Sequence, residues 1–390
     1  MYDGKRLLIY QVDSPYGALR SFMNELVEAF RLMKIDVTII DFGRKDAMEQ
    51  LAGKLTEDFD AVLSFNCYIA NIKLSDGGYL QDYIRAPYYY FLVDHPMHHH
   101  RVLREKLKNF HALCVDKYFI EYIHTYYPQI KTVAMIPHGG ITDGKPLIYH
   151  DRKIDVLFTG SYKDCEELRA LMEGSEEPAR TLSLELVKEL LGNTALRQEE
   201  AFDNVLQRLN IRLEKEQHAE WLSIIGNVAD HYIRGIYRNK MLEAMANEPY
   251  EVEIYGEGWD KCTIQAPNLH YHKAVSYEEN ITLMNNAKIV LNTYTGFKHG
   301  AHERIFSTML SRALCMTDTN EYIEEHFSDK ENVVIFSYDD MQGYKELIRH
   351  YLKNEREAGD IAERGYQLAK QEHTWKERAQ EIAGIIFSRS

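Results

Sequence analysis

The chain has 390 residues, a hydrophobic fraction of 45% and a formal net charge of −14 at pH 7. This length suffices for two or three domains with full cores, and the acidic balance argues against nucleic acid or an anionic membrane as the main partner. No apolar run approaches the roughly 20 residues of a membrane span, and the amino terminus lacks the features of a secretory signal. Five scattered cysteines without metal-binding spacing fit a reducing cytoplasm.

The first part of the chain alternates between strand and helix patterns. Apolar runs at residues 6–12, 36–41 and 61–65 predict strands, and residues 19–34 and 44–55 predict the helices between them. This order predicts a parallel sheet with right-handed crossovers. A GxGxxG motif does not follow the first strand, which argues against a dinucleotide dehydrogenase. Three further strands are predicted at 87–93, 111–115 and 131–136.

Three residues in loops after these strands are candidates for a general base, namely Asp13, Asp94 and His95. Asp13 is favoured because it follows the first strand, although an Asx turn ahead of a Ser-Pro pair explains it equally well. Three consecutive histidines at 98–100 invite a metal-site interpretation. Adjacent residues point in different directions and cannot easily reach one ion, so no metal site is predicted.

A Pro-His-Gly-Gly turn at 137–140 suits a domain boundary, and residues 154–159 predict the first strand of a second domain. The strand ends in a Gly-Ser pair at 160–161, whose backbone N–H groups suit the approach of a phosphate. Residues 164–247 are acid-rich and helical, and 231–247 predict the helix that returns to the sheet. A helical cap is the simplest role for this insertion, and acceptor recognition is the alternative.

The segment 287–318 predicts strand, loop, helix and strand in that order. This order places His302, Glu303 and Arg304 in the first turn of a helix, at the carboxyl end of a parallel strand. Helix amino termini favour phosphate, and an arginine there adds a bidentate donor. An ordinary surface pair between Glu303 and Arg304 is the alternative interpretation.

Five residues of this segment carry a resemblance to a known family: Asn292, Arg304, Phe306, Thr317 and Asp318. They match a pattern of a strand ending in Asn, then Arg-x-Phe-Glu, then a strand ending in Thr-Asp. The sequence thus resembles the CgeB-like glycosyltransferases, with their glycosyl transferases group 1 domain, over about residues 153–378.

Two positions depart from the family pattern. Ser307 stands where the family usually has a glutamate, and Arg312 stands where it has a glycine. In many enzymes of the same fold, that glutamate holds the ribose of the donor. The departure therefore leaves the identity of the donor open.

The resemblance implies an α/β GT-B fold, in which two Rossmann-like parallel-sheet domains face a cleft. The expected divisions are 1–149 for an acceptor domain, 150–375 for a nucleotide-sugar domain with an insertion at about 164–247, and 376–390 for a helix crossing back to the first domain. Donor contacts implied by the resemblance or the motifs are expected from Gly160, Ser161, Tyr162, Gly256, Trp259, Lys273, Ala274, Val275, Tyr277, Asn292, His302, Glu303, Arg304 and Ser307.

The implied activity is transfer of a sugar from a nucleotide diphosphate-sugar, UDP-linked in the first instance, to a protein, glycan or surface-polymer acceptor. The sequence contains no Asp-x-Asp pair in a loop that clearly follows a strand. The expected reaction therefore needs no metal and no cofactor beyond the donor substrate. Nucleic acid is not an expected partner. Two alternatives stay open: a non-catalytic protein that binds nucleotide-sugar or glycan, and a sugar-nucleotide epimerase of the same fold.

Overall fold

A computed structural model describes residues 2–293 and 295–388; Met1, Tyr294, Arg389 and Ser390 lie outside the described residues. The chain divides into two compact units. Unit 1 comprises Met1–Gly139 and Thr374–Ser390, and unit 2 comprises Gly140–His373. Each unit contains a six-stranded sheet, and every pairing within the two sheets is parallel. The predicted α/β class with two parallel-sheet domains is confirmed.

Unit 1 has the strand order β2-β1-β3-β4-β5-β6, so the order reverses between β1 and β3. Its central strands are buried along their whole length, as expected for a parallel sheet with helices on both faces. The strands are β1 (Arg6–Gln11), β2 (Asp36–Asp41), β3 (Ala61–Phe65), β4 (Tyr88–Leu92), β5 (Phe110–Cys114) and β6 (Val133–Met135), and the helices are α1 (Ala18–Leu32), α2 (Ala47–Lys54), α3 (His100–Leu103) and α4 (Lys117–Tyr126).

Unit 2 has the strand order β12-β11-β10-β7-β8-β9, and its order reverses between β7 and β10. In open α/β sheets, such a reversal leaves a crevice at the carboxyl ends of the two neighbouring strands, where ligands bind. The strands are β7 (Ile154–Thr159), β8 (Val252–Tyr255), β9 (Leu269–His272), β10 (Ala287–Asn292), β11 (Leu314–Thr317) and β12 (Val334–Ile335).

The helical insertion lies between β7 and β8, and its last helix differs from the prediction. The predicted return helix at 231–247 is the second half of one helix of 31 residues. A capping box between Glu214 and Gln217 starts this helix well before the predicted point. The insertion helices are α5 (Cys165–Glu173), α6 (Ala179–Gly192), α7 (Gln198–Arg208) and α8 (Lys215–Met245).

The described residues of unit 2 form five further α-helices: α9 (Tyr277–Asn286), α10 (Glu303–Leu310), α11 (Glu321–His326), α12 (Met341–Lys353) and α13 (Glu355–Glu372). Ser276 and Glu279 form a capping box at the start of α9, with reciprocal hydrogen bonds of 3.2 and 2.8 Å. Over the described residues, no helix combines the length and apolar character needed to cross a bilayer.

The last helix, α14 (Trp375–Phe387), belongs to unit 1. Trp375 is 1% exposed and stacks on Phe22 of α1, with 5.0 Å between the ring centroids. Its ring also meets Phe65 edge-on at 5.6 Å. Arg378 adds a hydrogen bond of 3.1 Å from its Nε to the carbonyl of His138. The helix is therefore a part of the hydrophobic core of unit 1.

The units divide between 139 and 140, ten residues before the expected 149/150, because the following segment is bonded to unit 2. Arg152 is 2% exposed and donates to the carbonyls of Leu147, Met284, Ala287 and Ser311 at 2.7–3.2 Å. Burial lowers the pKa of this guanidinium to about 10. One arginine thus joins the approach to β7 to the ends of α9 and α10.

Helix α10 is followed by Arg312, one of the two departures from the family pattern, in a backbone conformation that glycine adopts more easily. Arg312, where the family has glycine, has a φ of +52°, in the left-handed region that favours glycine. Its guanidinium lies 4.1 Å from the centroid of the Tyr366 ring and 3.4 Å from a carboxylate oxygen of Glu363. These surface contacts offset part of the backbone strain.

We expect Arg312→Gly to be more stable than Arg312→Ala by about 1 kcal/mol. Both variants lose the contacts with Tyr366 and Glu363, and only the glycine relieves the left-handed strain. The free energies of unfolding are compared by urea denaturation, with wild type as the reference. Equal stability of the two variants would show that the turn carries no strain.

Candidate functional site

Polar side chains end three neighbouring strands of unit 2, next to the reversal in strand order. Thr159 ends β7, Asn292 ends β10 and Thr317 ends β11. All three are buried, and the side-chain amide of Asn292 donates to the Thr317 hydroxyl at 3.0 Å. Polar groups therefore lie side by side at the carboxyl edge of an otherwise apolar sheet.

Arg304, in the first turn of α10, connects these strand ends. Its Nη1 donates to Oδ1 of Asn292 at 3.0 Å, and its Nε contacts the Thr159 hydroxyl at 3.3 Å. The guanidinium therefore bridges β10 and β7, the two strands between which the order reverses. The sequence analysis predicted Arg304 in the first turn of a helix, at the carboxyl end of a strand. The oxygens of Asn292 and Thr159 fix the orientation of its guanidinium.

The charge of Arg304 is poorly compensated. The residue is 7% exposed, and within the described part of the chain no carboxylate comes within ion-pair distance of it. Burial lowers its pKa, while the charge of Glu303 acts in the opposite direction. Nη2 has no hydrogen-bond partner among the described residues. A buried cation with an unused donor is suited to binding an anion.

A second buried guanidinium, Arg238, lies at the same edge and was not predicted. It belongs to α8, is 6% exposed and donates through Nη1 to the carbonyl of Ser161. Burial and the nearby charges of Arg234 and Arg304 lower its pKa to about 9. The Phe158 ring lies 5.6 Å from the Arg238 guanidinium and 5.9 Å from that of Arg304. Two cations therefore share one aromatic side chain.

A sequence signal for Arg238 existed in the spacing of α8. Met241, Leu242 and Met245 mark the buried face of this helix, and residue 238 lies on the same face by the i, i+3, i+4, i+7 rule. An arginine on an apolar face is unusual unless it has a polar task. Arg238 and Arg304 are 66 residues apart in the chain, so the sequence alone did not show that they lie close together in the fold.

The Gly160–Tyr162 loop differs from the expectation that its amides are open to a phosphate. The Gly160 N–H donates to the carbonyl of Tyr255 at 2.8 Å, and the Tyr162 N–H donates to the carbonyl of Glu257 at 2.8 Å. The parallel pairing of β7 with β8 continues into the loops and occupies both donors. The expectation of an open amide is therefore wrong for Gly160, and the amide of Tyr162 is occupied as well. The predicted role of the Ser161 amide stays a prediction.

Gly256 and Trp259 support this loop from the end of β8. Nε1 of Trp259 donates to the carbonyl of Gly160 at 2.9 Å, and the indole is 3% exposed. A Cβ on Gly256 would lie 2.2 Å from the same carbonyl oxygen, so only glycine fits. Both residues lie near the predicted donor site, and their observed contacts hold the backbone of Gly160.

Glu303 and Ser307 of α10 form a hydrogen-bonded network with Tyr277 of α9. The Tyr277 hydroxyl donates to Oε2 of Glu303 at 2.7 Å, and the Ser307 hydroxyl contacts the same oxygen at 3.3 Å. Ser307 is 0% exposed and also accepts from the N–H of Ile141 at 3.1 Å. Burial raises the pKa of Glu303. Ser307 is therefore occupied by protein contacts, and its predicted donor contact lacks a free hydroxyl.

His302 and the segment 273–275 complete the predicted donor residues. Nδ1 of His302 accepts from the N–H of Arg304 at 3.2 Å, so the half-buried ring caps α10. Lys273 is exposed, and Ala274 and Val275 are half-buried, between β9 and the cap of α9. Their predicted role beside the base stays a prediction.

In unit 1, Asp13 follows β1 and is exposed. Its carboxylate forms an ion pair of 2.7 Å with Arg20, whose fork also binds Asp41 at 2.9 Å. The favoured general base is thus held by a cation, which argues against that role.

Asp94 and His95 follow β4. Asp94 is half-buried and accepts from the side-chain amide of Asn66 at 3.1 Å; within the described residues it has no ion pair. His95 is buried, and its Nδ1 accepts from the N–H of Met97 at 3.1 Å. Among the three candidates, Asp94 is the one whose carboxylate is oriented by a neutral side-chain amide and not by a cation.

The run of histidines after β4 has separate hydrogen-bond partners. Nδ1 of His99 pairs with the Tyr90 hydroxyl at 2.8 Å, and Nδ1 of His100 pairs with the Tyr127 hydroxyl at 3.0 Å. Burial lowers the pKa of His99 to about 4. In the part of the chain that the structure covers, no three His, Cys, Asp or Glu side chains are grouped as metal ligands.

Comparison with solved structures identifies the fold as GT-B. Anabaena Alr3699/HepE in complex with UDP-glucose matches with a TM-score of 0.55 and 11% identity, over 98% of this chain and 99% of that chain. An alpha-glucosyltransferase in complex with UDP and a 13-mer DNA matches with a TM-score of 0.57 and 12% identity, over 98% and 100%. TarM matches with a TM-score of 0.50 and 10% identity over 86% of this chain. This chain covers 57% of TarM.

At the sequence level, residues 238–384 match the family model described as glycosyl transferase-like. This region is less than half of the chain, lies mostly in unit 2 and includes both Arg238 and Arg304. Comparison with curated proteins finds no match. The fold is thus established for the whole chain, and the sequence similarity to glycosyltransferases is established for its carboxyl-terminal part.

Proposed function

We propose that this protein is a glycosyltransferase that uses a nucleotide diphosphate-sugar, UDP-linked and carrying a hexose, without a metal ion. The observation that carries the proposal is Arg304, a buried guanidinium without a carboxylate at the strand reversal of unit 2. The sequence similarity of residues 238–384 supports the same class of reaction. A finer relation to the CgeB-like enzymes is part of this proposal.

The chemistry assigned to unit 2 is stabilisation of the leaving group. An acceptor hydroxyl oxygen forms a bond to the anomeric carbon, and the bond from that carbon to the β-phosphate oxygen breaks. Negative charge then develops on the departing diphosphate. A fixed guanidinium and the amino terminus of α10 stabilise that charge without moving. Arg304 and the helix supply the positive charge that a divalent cation provides elsewhere.

For an inverting transfer, the acceptor proton needs a base, and we assign it to Asp94 in unit 1. Its carboxylate receives the proton as the new glycosidic bond forms. Asn66 orients the carboxylate at 3.1 Å without a positive charge. Asp13 is the weaker candidate because Arg20 holds it at 2.7 Å.

The proposed acceptor is a protein or a glycan. One structural neighbour is an alpha-glucosyltransferase in complex with UDP and a 13-mer DNA. The net charge of −14 in this chain argues against a polyanionic acceptor here. The hydroxyl groups of glycans and proteins are uncharged, so the acidic chain does not repel them.

A second candidate, a nucleotide-sugar-binding protein without catalysis, is favoured by Ser307. This residue replaces the family's glutamate and is fully buried in protein contacts. Hydrolysis of UDP-glucose and other sugar nucleotides without an acceptor, measured in EDTA, separates the two. Slow hydrolysis supports the enzyme, and its absence with every donor supports the binding protein.

We expect Arg304→Met to weaken binding of UDP by about 1.5–3 kcal/mol, the contribution of a hydrogen bond to a charged group. Methionine keeps much of the apolar volume and removes the charge. Isothermal titration calorimetry measures the affinity, and thermal melting checks that the variant is folded. The control is Arg349→Met, which removes an exposed arginine paired with Glu248. Unchanged UDP affinity in a folded Arg304→Met variant would refute the phosphate assignment.

We expect Asp94→Asn to reduce the rate of UDP-sugar hydrolysis by about 10²–10⁴-fold, because the general base is lost. Affinity for UDP should stay unchanged, since a general base acts on the proton of the acceptor hydroxyl and not on the diphosphate. Asp13→Asn is the matched comparison and should cost much less. A larger loss in Asp13→Asn than in Asp94→Asn would reverse the assignment of the base.

A further inference from the structure

We propose that Arg238 is a second cationic ligand for the donor diphosphate, which makes helix α8 of the insertion part of the donor site. The inference rests on the proposed function and assigns the insertion a role in substrate binding. The expectation from sequence was a helical cap, and no comparison assigns a role to Arg238.

The position of Arg238 is fixed by the loop after β7. Nη1 donates to the Ser161 carbonyl, and Nη2 lies 3.2 Å from the point where a Cβ of Gly160 would stand. The guanidinium therefore lies beside Gly160, at a distance where a side chain on that residue would be tight against it. Nη2 has no hydrogen-bond partner among the described residues, and the N–H of Ser161 lies in the same loop.

The charge of Arg238 is uncompensated, whereas that of its neighbour on α8 is paired. Arg234, one turn earlier, forms an ion pair of 2.6 Å with Asp230. Within the described residues, no carboxylate reaches ion-pair distance of Arg238, which is 6% exposed. Burying an unpaired cation is unfavourable, and an anionic ligand at this position would offset that cost.

Arg238 and Arg304 repel each other across the Phe158 side chain. Burial and the charges of Arg234 and Arg304 lower the pKa of Arg238, while the guanidinium distances to the ring are 5.6 and 5.9 Å. Folding therefore brings two like charges together at one strand end. An anion with two charged groups offsets this repulsion, and a diphosphate has that form.

A buried hydroxyl adds a further donor near Arg238. The Tyr338 oxygen is buried and has no hydrogen-bond partner among the described residues. Its electrostatic neighbours include Asp318 and Arg238, and its ring lies 4.2 Å from that of Tyr237, the residue before Arg238. Buried hydroxyl groups are normally bonded, so this one is suited to a ligand oxygen.

A purely structural role is the competing explanation, because Arg238 also holds the Ser161 carbonyl. The two roles differ in what the ligand must contain. A structural arginine affects the whole site and every ligand alike. An arginine that binds the phosphates changes the affinity only for compounds that carry the diphosphate.

The test is Arg238→Met, with Arg238→Lys as a variant that retains the charge. Binding of UDP, uridine and inorganic pyrophosphate is measured by isothermal titration calorimetry. We expect Arg238→Met to weaken UDP and pyrophosphate by about 10- to 100-fold and to leave uridine unchanged. Arg238→Lys should recover part of the loss, since a lysine keeps the charge and loses the fork. If Arg238→Met does not fold, the lysine variant carries the comparison of UDP with uridine.

The charge control is Arg169→Met on α5, which removes an exposed arginine paired with Glu173 at 2.8 Å and should leave all three affinities unchanged. Equal losses for UDP and uridine, or no loss for either, would overturn the role of Arg238. Wild-type protein that binds neither UDP nor pyrophosphate would overturn the proposed function itself. The two failures are therefore distinguishable in one set of titrations.

Discussion

The structure of unit 2 depends on how two buried guanidiniums are held at the carboxyl edge of a parallel sheet. Hydrophobic strands pack together readily, but cations at their ends are costly to bury. Arg304 is held by two neutral oxygens, from Thr159 and Asn292, and Arg238 is held by a backbone carbonyl. Neutral acceptors orient these cations and leave their charge available. In an ion pair, by contrast, a carboxylate would neutralise the charge of the arginine.

The sequence could predict Arg304 because the signal is local. An apolar strand, a short polar loop and an amphipathic helix place the first helical turn at the strand end wherever a parallel sheet forms. The pairing of β10 with β7 then follows from the reversal in strand order. The six strands of the sheet in unit 1 were predictable on the same basis, since continuous apolar runs separated by helices indicate buried parallel strands.

Features that depend on distant parts of the chain could not be predicted. The amides of Gly160 and Tyr162 are occupied by carbonyls of Tyr255 and Glu257, nearly 100 residues further along. Arg238 approaches Ser161 because a helix of 31 residues leads back to the sheet. In unit 1, Asp13 pairs with Arg20, which lies only seven residues further along, so this contact depends on side-chain direction and not on a distant part of the chain. Spacing along the chain contains none of these distances.

The membership of α14 in unit 1 has a consequence for how the protein is made. Trp375 fills the core beside Phe22, although 352 residues separate them. During synthesis, residues 1–139 and the whole of unit 2 are translated before this tryptophan, so the core of unit 1 lacks the indole ring until then. Domains usually form in the order of translation. Here the unit whose translation begins first is the last to be completed, so Phe22 and Phe65 acquire the Trp375 ring only after unit 2 has been translated.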